Sequence, residues 1–586
     1  MYFLEVSTSL YLRGARQNSW AAFDMHGFTP PLRATGSHLH MNAVGSQTPA
    51  QRRLRRSSQR FPEPKKTRKI ETPEFSFGLI IWATERFILT TAPLWIFCQT
   101  TSSAKMDMSK AIKALKLALP KVEFAMEGTQ EHQTLNRGFF QSALQSDIVP
   151  ACIVRPRSKS DISTFVKTIR PFVVADEAAF AIVGGGRQPA PGCSNIQDGI
   201  TLNLGLLRGI QIDIENGVVS IAAGETWGPV FDKLVEIGLG CSGSRSSKGG
   251  IGGLALSGGL SIFSSREGFI CDDVLNYEIV LGSGEIVNAN SNENADLWKA
   301  LRGGGNNFGV VTRYDMRTFK QGPFWGGALY YFSPSFPGQV EALVHELQKP
   351  DATADTHLMM SLGYTAMFGP EAVGMNQMYY TQEVEKPPVL DVFTSVEPQI
   401  GGLNTMRMMN LAEASREQAG DIPPNQRSAY MNLHVKADVA TLVTGGEIWK
   451  AALEPVKDCE GLICSYTLQP YARSQLQASA KKGGNSLGLD PSSPIVSVAF
   501  LMYWNSKSDD EKILGTFKSA LEKMRAEASS KGQLINFVYM NYSFNFQDPI
   551  ASYGAENKKH LQGVSRKFDP EGIFQKGVPG GWKLFA

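Results

Sequence analysis

Two glycine-rich stretches about sixty residues apart constrain this chain more than any other feature: AIVGGGRQPAPG at Ala181–Gly192 and GSRSSKGGIGGLALSGG at Gly243–Gly259. Phe180–Val183 (FAIV) reads as a short buried strand, and Gly184, Gly185 and Gly186 after it free the backbone of β-carbons. Successive N–H groups in such a turn form a nest that receives an anion such as pyrophosphate without any lysine. Arg187 and Gln188 follow at its rim. A glycine triplet after a strand is equally compatible with a plain tight turn, but the second stretch weighs against that. Gly243, Gly249, Gly250, Gly252, Gly253, Gly258 and Gly259 leave bare far more backbone than a hairpin needs, where something flat must lie against it. A third element, Leu297–Arg313 (LWKALRGGGNNFGVVTR), reads as a helix end, a glycine turn and a strand. Three such elements separated by strand-like runs predict a clamp for one dinucleotide.

The stretch from about Asp147 to Phe319 resembles the FAD-binding domain of the vanillyl-alcohol oxidase/p-cresol methylhydroxylase superfamily. The best match is to the berberine bridge enzyme-like oxidoreductases of fungal secondary metabolism. The matching residues are Pro156 with Ser160-Asp161-Ile162, the GGG loop with Asn195-Ile196, Leu204, Gly224 with Trp227-Gly228, and the second loop. Further matches are Arg266 with Gly268, Asp273 with Glu278 and Val280, and the run from Asp296-Leu297-Trp298 to Gly303-Gly304. Tyr539-Met540-Asn541-Tyr542 resembles the family's Tyr-x-Asn-Tyr element, and Phe568-Asp569-Pro570-Glu571-Gly572 to Gly580-Gly581 its C-terminal signature. The resemblance spans about Asp147 to Ala586. It implies an α+β fold: a PCMH-type FAD-binding domain of two α+β subdomains, and a substrate domain whose antiparallel sheet is covered by helices and lies over the flavin ring.

Departures from the family pattern are equally informative. Many members carry a histidine after the first GGG, bonded to the flavin 8α-methyl group, and often a cysteine in the second loop bonded to C6. This chain has Arg187 and Ser246 at those places. A guanidinium stays protonated and has no lone pair with which to attack, and a serine hydroxyl without an adjacent base is a poor nucleophile. FAD is therefore expected to be held noncovalently, with Arg187 pairing to the pyrophosphate, stabilising an anionic reduced flavin, or sitting as a surface arginine beside a turn. Tyr542, the second tyrosine of the Tyr-x-Asn-Tyr element, is the candidate base, and Asn541 a cofactor-binding residue. A phenol titrates near about 10, so such a base needs a cationic neighbour or concerted hydride loss. VYMNYSF at Val538–Phe544 can equally be read as a half-buried aromatic strand in which Tyr539 and Tyr542 only pack. At Gly249 the family places a side chain over the flavin; bare hydrogen there either admits oxygen, favouring an oxidase over a dehydrogenase, or serves loop geometry alone.

The implied function is an FAD-dependent oxidase taking a hydride from an alcohol, amine or activated C–H group of a small metabolite and passing the electrons to oxygen, with hydrogen peroxide as product. The alternative is a flavin-containing cyclase or isomerase without net redox turnover. The partners are then a small-molecule substrate and oxygen.

Nothing suggests a nucleic-acid surface. Of the net charge of +3, much comes from Gln51–Lys69 (QRRLRRSSQRFPEPKKTRK), with nine basic residues and one acidic, and the remainder is slightly acidic. That run reads as a solvated linker. Seven cysteines show no metal spacing and no disulfide framework, although Cys459 and Cys464 could pair. Phe75–Cys98 is long enough to span a bilayer. Its central Glu85 and Arg86 each cost roughly 2.5–3.5 kcal/mol, against about 0.3–0.6 returned per apolar residue, so membrane anchoring is not favoured. The first residues carry an early acid and no basic start, unlike a secretory signal, and a cytoplasmic location is expected.

The chain is expected to divide into an N-terminal extension at 1–105, dispensable, with Met106 or Met108 as the start; a leading helix and entry at 106–146; the FAD-binding domain at 147–322; the substrate domain at 323–530; and a segment at 531–586 that returns to close the site. In the substrate domain, Phe368, Tyr379, Tyr380 and Tyr503 are read as core aromatics or pocket lining.

Overall fold

Strand Phe180–Val183 forms with the bounds that its FAIV run predicts. In the computed structural model, which describes residues 107–139, 142–420 and 426–586, it edges a four-stranded sheet ordered Glu123–Met126, Cys152–Arg155, Ile200–Asn203, Phe180–Val183. The first pairing is antiparallel and the other two are parallel. Parallel neighbours need a crossover, and helix Lys159–Val174 supplies one. Its Ile162, Phe165, Val166, Ile169 and Val173 recur at helical spacing and are buried, and a capping box of Ser158 with Asp161 satisfies its first amides. Residues 1–106, including the basic run and the apolar segment 75–98, lie outside the described residues. Among those described, no helix is long and apolar enough to cross a membrane.

A second sheet has six strands. Its path runs Ile210–Asp213, Val218–Ala222, Val310–Lys320, Val274–Val280, Ile286–Asn290, with Leu239–Cys241 paired to the far end of Val310–Lys320. All its pairings are antiparallel. The predicted helix, glycine turn and strand are helix Ala295–Leu301 and strand Val310–Lys320. One apolar core joins the two sheets.

From Phe324 the chain builds a third, eight-stranded antiparallel sheet. Its order is Arg407–Met409, Phe324–Phe332, Val373–Tyr380, Thr356–Thr365, Ile463–Tyr471, Ile495–Trp504, Arg427–Lys436, Leu534–Ile535. Strand side chains alternate faces, and that alternation sorts the sheet. On Ile463–Tyr471, Cys464, Tyr466 and Leu468 enter a core shared with helices Phe336–Gln348, Val439–Leu453 and Asp510–Ser530. Ser465, Thr467 and Gln469 face the opposite way, into a cavity. Helices thus cover one face and leave the other for a ligand. The six described cysteines are free, Cys459 and Cys464 among them.

After Ser530 the chain rejoins the first core through Phe537, Tyr539, Tyr553, Ile573 and Phe574. Asn307 Nδ2 donates to Trp582 O at 3.0 Å, and Asn306 Nδ2 to Gly580 O at 3.2 Å, tying the tail to the glycine turn after helix Ala295–Leu301.

Arg427 bolts the third sheet to the entry segment. Its side chain is 6% exposed, and it donates to Asp147 Oδ2 at 2.8 Å and to both carboxylate oxygens of Asp510 at 2.5 Å. Burial alone would raise the Asp147 carboxyl, but hydrogen bonds and charge from Arg427, then Lys507, outweigh it and hold it below the usual range. A depressed carboxyl stabilises the fold above its unfolded value of about 3.9, and that contribution disappears as pH falls through the folded value. Arg427→Met is expected to lose about 2–3 kcal/mol at neutral pH, less than for a fully buried pair because both acids are partly exposed. In denaturant melts the gap from wild type should narrow as the pH drops below about 4.

Candidate functional site

The two glycine loops touch. A β-carbon on Gly185 would lie 2.6 Å from Gly250 Cα, one on Gly250 would lie 2.6 Å from Gly185 Cα, and Thr226 bridges to Gly250 alongside. Among the described residues, the amides of Gly184, Gly185 and Gly186 donate to no protein group. Gly186 has φ 61°, a left-handed value that turns the run into a nest of converging N–H groups.

One cavity, with about 1930 Å³ of atom-free space including its mouth, opens over this contact. Its wall contains Gly184, Gly185, Gly186, Arg187 and Gln188 from the first loop, Ser246, Gly249, Gly250, Gly252 and Gly253 from the second, and Asn541 and Tyr542 from the tail segment. Gly243 and Gly258, expected at the cofactor, stand behind the wall. A β-carbon on Gly243 would run into the Trp227 ring, and Gly258, at φ 95°, is packed against Leu487 and Tyr539. Close packing explains both. At Gly249, which lines the cavity, a β-carbon would meet Ser244 Oγ at 2.5 Å, so crowding within the loop is itself a reason for glycine there.

Val538–Phe544 is not a strand. Met540–Tyr542 form a 3₁₀ turn, which sets the Tyr539 and Tyr542 rings edge to face at 5.2 Å and gives the two tyrosines different jobs. Tyr539 is buried, and its hydroxyl accepts from Gly259 N at 2.9 Å and from Asn541 Nδ2 at 3.0 Å. Asn541 Nδ2 also donates to Ser257 O at 3.1 Å. These two residues pin the second loop. Tyr542 projects into the cavity, where Arg245 Nη2 donates to its Oη at 2.6 Å and the Gln469 amide lies 3.3 Å away.

Gln469, Tyr430 and Trp582 line the site although nothing in the linear pattern marked them, and Arg245 lines it as well. For Arg245 a signal existed, since it is the residue before Ser246 in a loop already assigned to the cofactor. The other three sit on distant strands and on the tail. Of the four aromatics weighed for the pocket, Tyr503 lines it, Tyr379 packs between Phe324 and His357, and Phe368 packs on Tyr330. Tyr380 is half-buried against the helix-side core.

The hydroxyls of Tyr430 and Tyr503 are 2.6 Å apart. Burial pushes both phenols up, against the smaller opposing effect of Arg187, so both stay neutral. Burial drives His357 well below its ordinary value and Arg245 adds to this, which leaves the imidazole uncharged.

The residues present fit a flavin dinucleotide. The nest offers amides to a pyrophosphate, bare backbone at Gly249, Gly250, Gly252 and Gly253 admits a flat ring, and Ser246 Oγ is buried with no protein partner among the described residues. Residues 150–290 match the model of an FAD binding domain. The chain is 37% identical over 456 residues to the FAD-dependent monooxygenase FUP4 of Fusarium proliferatum, covering 76% of this chain and 87% of that protein. Its fold is shared with the carbohydrate oxidase of Microdochium nivale, at TM-score 0.66 and 18% identity over 80% of this chain and 99% of that one. It is shared also with glucooligosaccharide oxidase of Acremonium strictum, described with a 6-S-cysteinyl, 8α-N1-histidyl FAD, at TM-score 0.65 and 18% identity over 81% and 99%.

Gly185→Ala is expected to force the two loops apart, lowering stability by about 1–3 kcal/mol and the visible absorbance of bound flavin per protein. Gly253→Ala, whose β-carbon meets nothing within 4 Å, should cost far less stability. Thermal melts and absorbance ratios of the two purified variants check the contrast.

Proposed function

Since the chain belongs to the berberine bridge enzyme-like, FAD-binding oxidoreductases of the fungal secondary-metabolism type, we propose that it is an oxidase of a small secondary metabolite, removing a hydride from an alcohol, amine or activated C–H group. When bound, FAD supplies the acceptor for that hydride and the route of its electrons to dioxygen, yielding hydrogen peroxide. The observation that carries the reading is Tyr542, held by Arg245 at 2.6 Å where the glycine cradle meets the polar face of the third sheet. The base is the ionised Tyr542: its Oη takes the substrate proton, and the Arg245 cation balances the negative charge that the phenolate carries before the transfer. Gln469 orients the phenol from the other side. Ser361, Ser465 and Thr467 offer hydroxyls to the substrate, while Met359, Met375 and Leu501 shield it from water.

The cofactor is held without a covalent bond. Arg187 and Ser246 line the cavity where the family's linking histidine and cysteine would stand, and neither is a competent nucleophile. Gln188 anchors the end of the first loop by reaching Met540 O.

A second reading, transfer of one oxygen atom to the substrate, is favoured by the monooxygenase name of the relative at 37% identity. Turnover under ¹⁸O₂ separates the two: the oxidase releases labelled peroxide and unlabelled product, and labelled product refutes it. Product formation without oxygen uptake would point instead to a cyclase or isomerase. Tyr542→Phe is expected to slow anaerobic bleaching of the flavin by about a hundred- to ten-thousand-fold while the bound chromophore stays in place; unchanged bleaching removes Tyr542 from the mechanism. Acid precipitation should leave a colourless pellet and a yellow supernatant, and a pellet that keeps its flavin fluorescence contradicts noncovalent binding.

A further inference from the structure

One guanidinium serves two groups in the cavity wall. Arg245 Nη2 donates to Tyr542 Oη at 2.6 Å, and Arg245 Nη1 rests against the Met359 sulfur at 3.2 Å. Met359 lies on strand Thr356–Thr365, on the face it shares with Ser361, and both residues line the cavity. A thioether is a weak acceptor, so this contact leaves the cation to the tyrosine. Two further methionines in the wall have other neighbours: the Met540 sulfur accepts from Ser257 Oγ at 3.2 Å, and Met375 packs with Tyr330 and Tyr503.

Thioether sulfur is readily oxidised to a sulfoxide. Met359 is only 6% exposed, yet its side chain borders the cavity, so an oxidant formed inside reaches it without crossing bulk water. Met367, on the 3₁₀ turn Ala366–Phe368, is 52% exposed and meets bulk solvent instead. With hydrogen peroxide as the oxidant the step balances. A sulfur lone pair attacks one peroxide oxygen, the O–O bond breaks, and the departing hydroxide takes the proton from the new S–OH group, giving one methionine sulfoxide and one water. Sulfur loses two electrons and the peroxide gains them. The Arg245 cation beside the sulfur favours departure of the hydroxide.

We propose that Met359 is a self-oxidation site, at which peroxide released in the cavity converts the thioether to a sulfoxide and so withdraws Arg245 from Tyr542. This rests on the oxidase reading of the same site, which supplies the peroxide. Oxidation turns an apolar side chain into a polar one, whose oxygen competes for the guanidinium. A hydrogen bond from nitrogen to that oxygen spans about 2.7–3.2 Å, so an added oxygen does not fit inside the present 3.2 Å sulfur contact and the guanidinium has to shift. Its planar fork moves as one body, which breaks the 2.6 Å bond to Tyr542. Sulfoxides can be reduced back enzymatically, so the site acts as a reversible brake set by accumulated product.

The test uses the full chain purified with FAD and needs neither substrate nor variant. Bound flavin is photoreduced with EDTA under nitrogen and reoxidised with air over repeated cycles, in the presence of catalase to destroy peroxide that escapes into bulk solvent. A parallel sample without catalase has its peroxide measured. Peptide mass spectrometry is expected to find the added oxygen on Met359 at least about tenfold more often than on Met367. A crystal structure of the oxidised protein should show the sulfoxide oxygen hydrogen-bonded to Arg245 and the bond from Arg245 to Tyr542 broken. Equal oxidation of Met367, an unmodified Met359 after peroxide has been measured, or an intact Arg245 to Tyr542 bond beside the sulfoxide overturns the proposal. Reoxidation without any peroxide contradicts the oxidase reading instead, and added hydrogen peroxide then decides on Met359 by itself: failure to oxidise it overturns the site, so the two failures are distinguishable.

Discussion

The whole site depends on a contact that contains no side chain. Gly185 and Gly250 approach so closely that a single β-carbon on either would occupy the other's backbone, and the loops bearing them belong to different parts of the fold. The first loop leaves a strand of the four-stranded sheet, and the second lies beside Thr226 at the end of the six-stranded one. Their meeting joins the two sheets into one cradle, at which the amides of Gly184, Gly185 and Gly186 have no protein acceptor among the described residues. Glycine is demanded at this contact by crowding, and by a left-handed φ at neighbouring Gly186.

The chemistry comes from elsewhere. On strand Ile463–Tyr471 the third sheet shows Ser465, Thr467 and Gln469 to the cavity and Cys464, Tyr466 and Leu468 to the helices. A single strand thus serves both stability and recognition, and a shift of register by one residue would exchange them. The tail closes the arrangement: Asn541 and Tyr539 hold the second loop, Asn306 and Asn307 hold the carbonyls of Gly580 and Trp582, and Tyr542 is left facing the cavity.

Legibility followed the range of the interactions. Glycine loops, the FAIV strand and the leading helix, which forms at Ser109–Ala118, are local, and their residues announce them through spacing and backbone freedom. The 3₁₀ turn at Met540–Tyr542 was not legible, because VYMNYSF has the alternation of a strand and only its contacts with Leu254, Ser257 and Gly259 bend it. Gly243 and Gly258 were indistinguishable from their lining neighbours for a related reason: a glycine facing a ligand and a glycine facing Trp227 or Leu487 are the same letter.

What the chain determined by itself was the kind of ligand, since bare backbone in two long loops suits a dinucleotide and little else, and the absence of a linking nucleophile after the first GGG is a matter of residue identity. Which groups surround that ligand was decided only in three dimensions. Arg245 meets Tyr542 across 297 positions, and Gln469, Tyr430 and Tyr503 arrive from three strands of one sheet. Such neighbours leave no periodic trace, because strand order and register are set by the packing of the opposite face, whose apolar residues carry no information about the polar ones beside them.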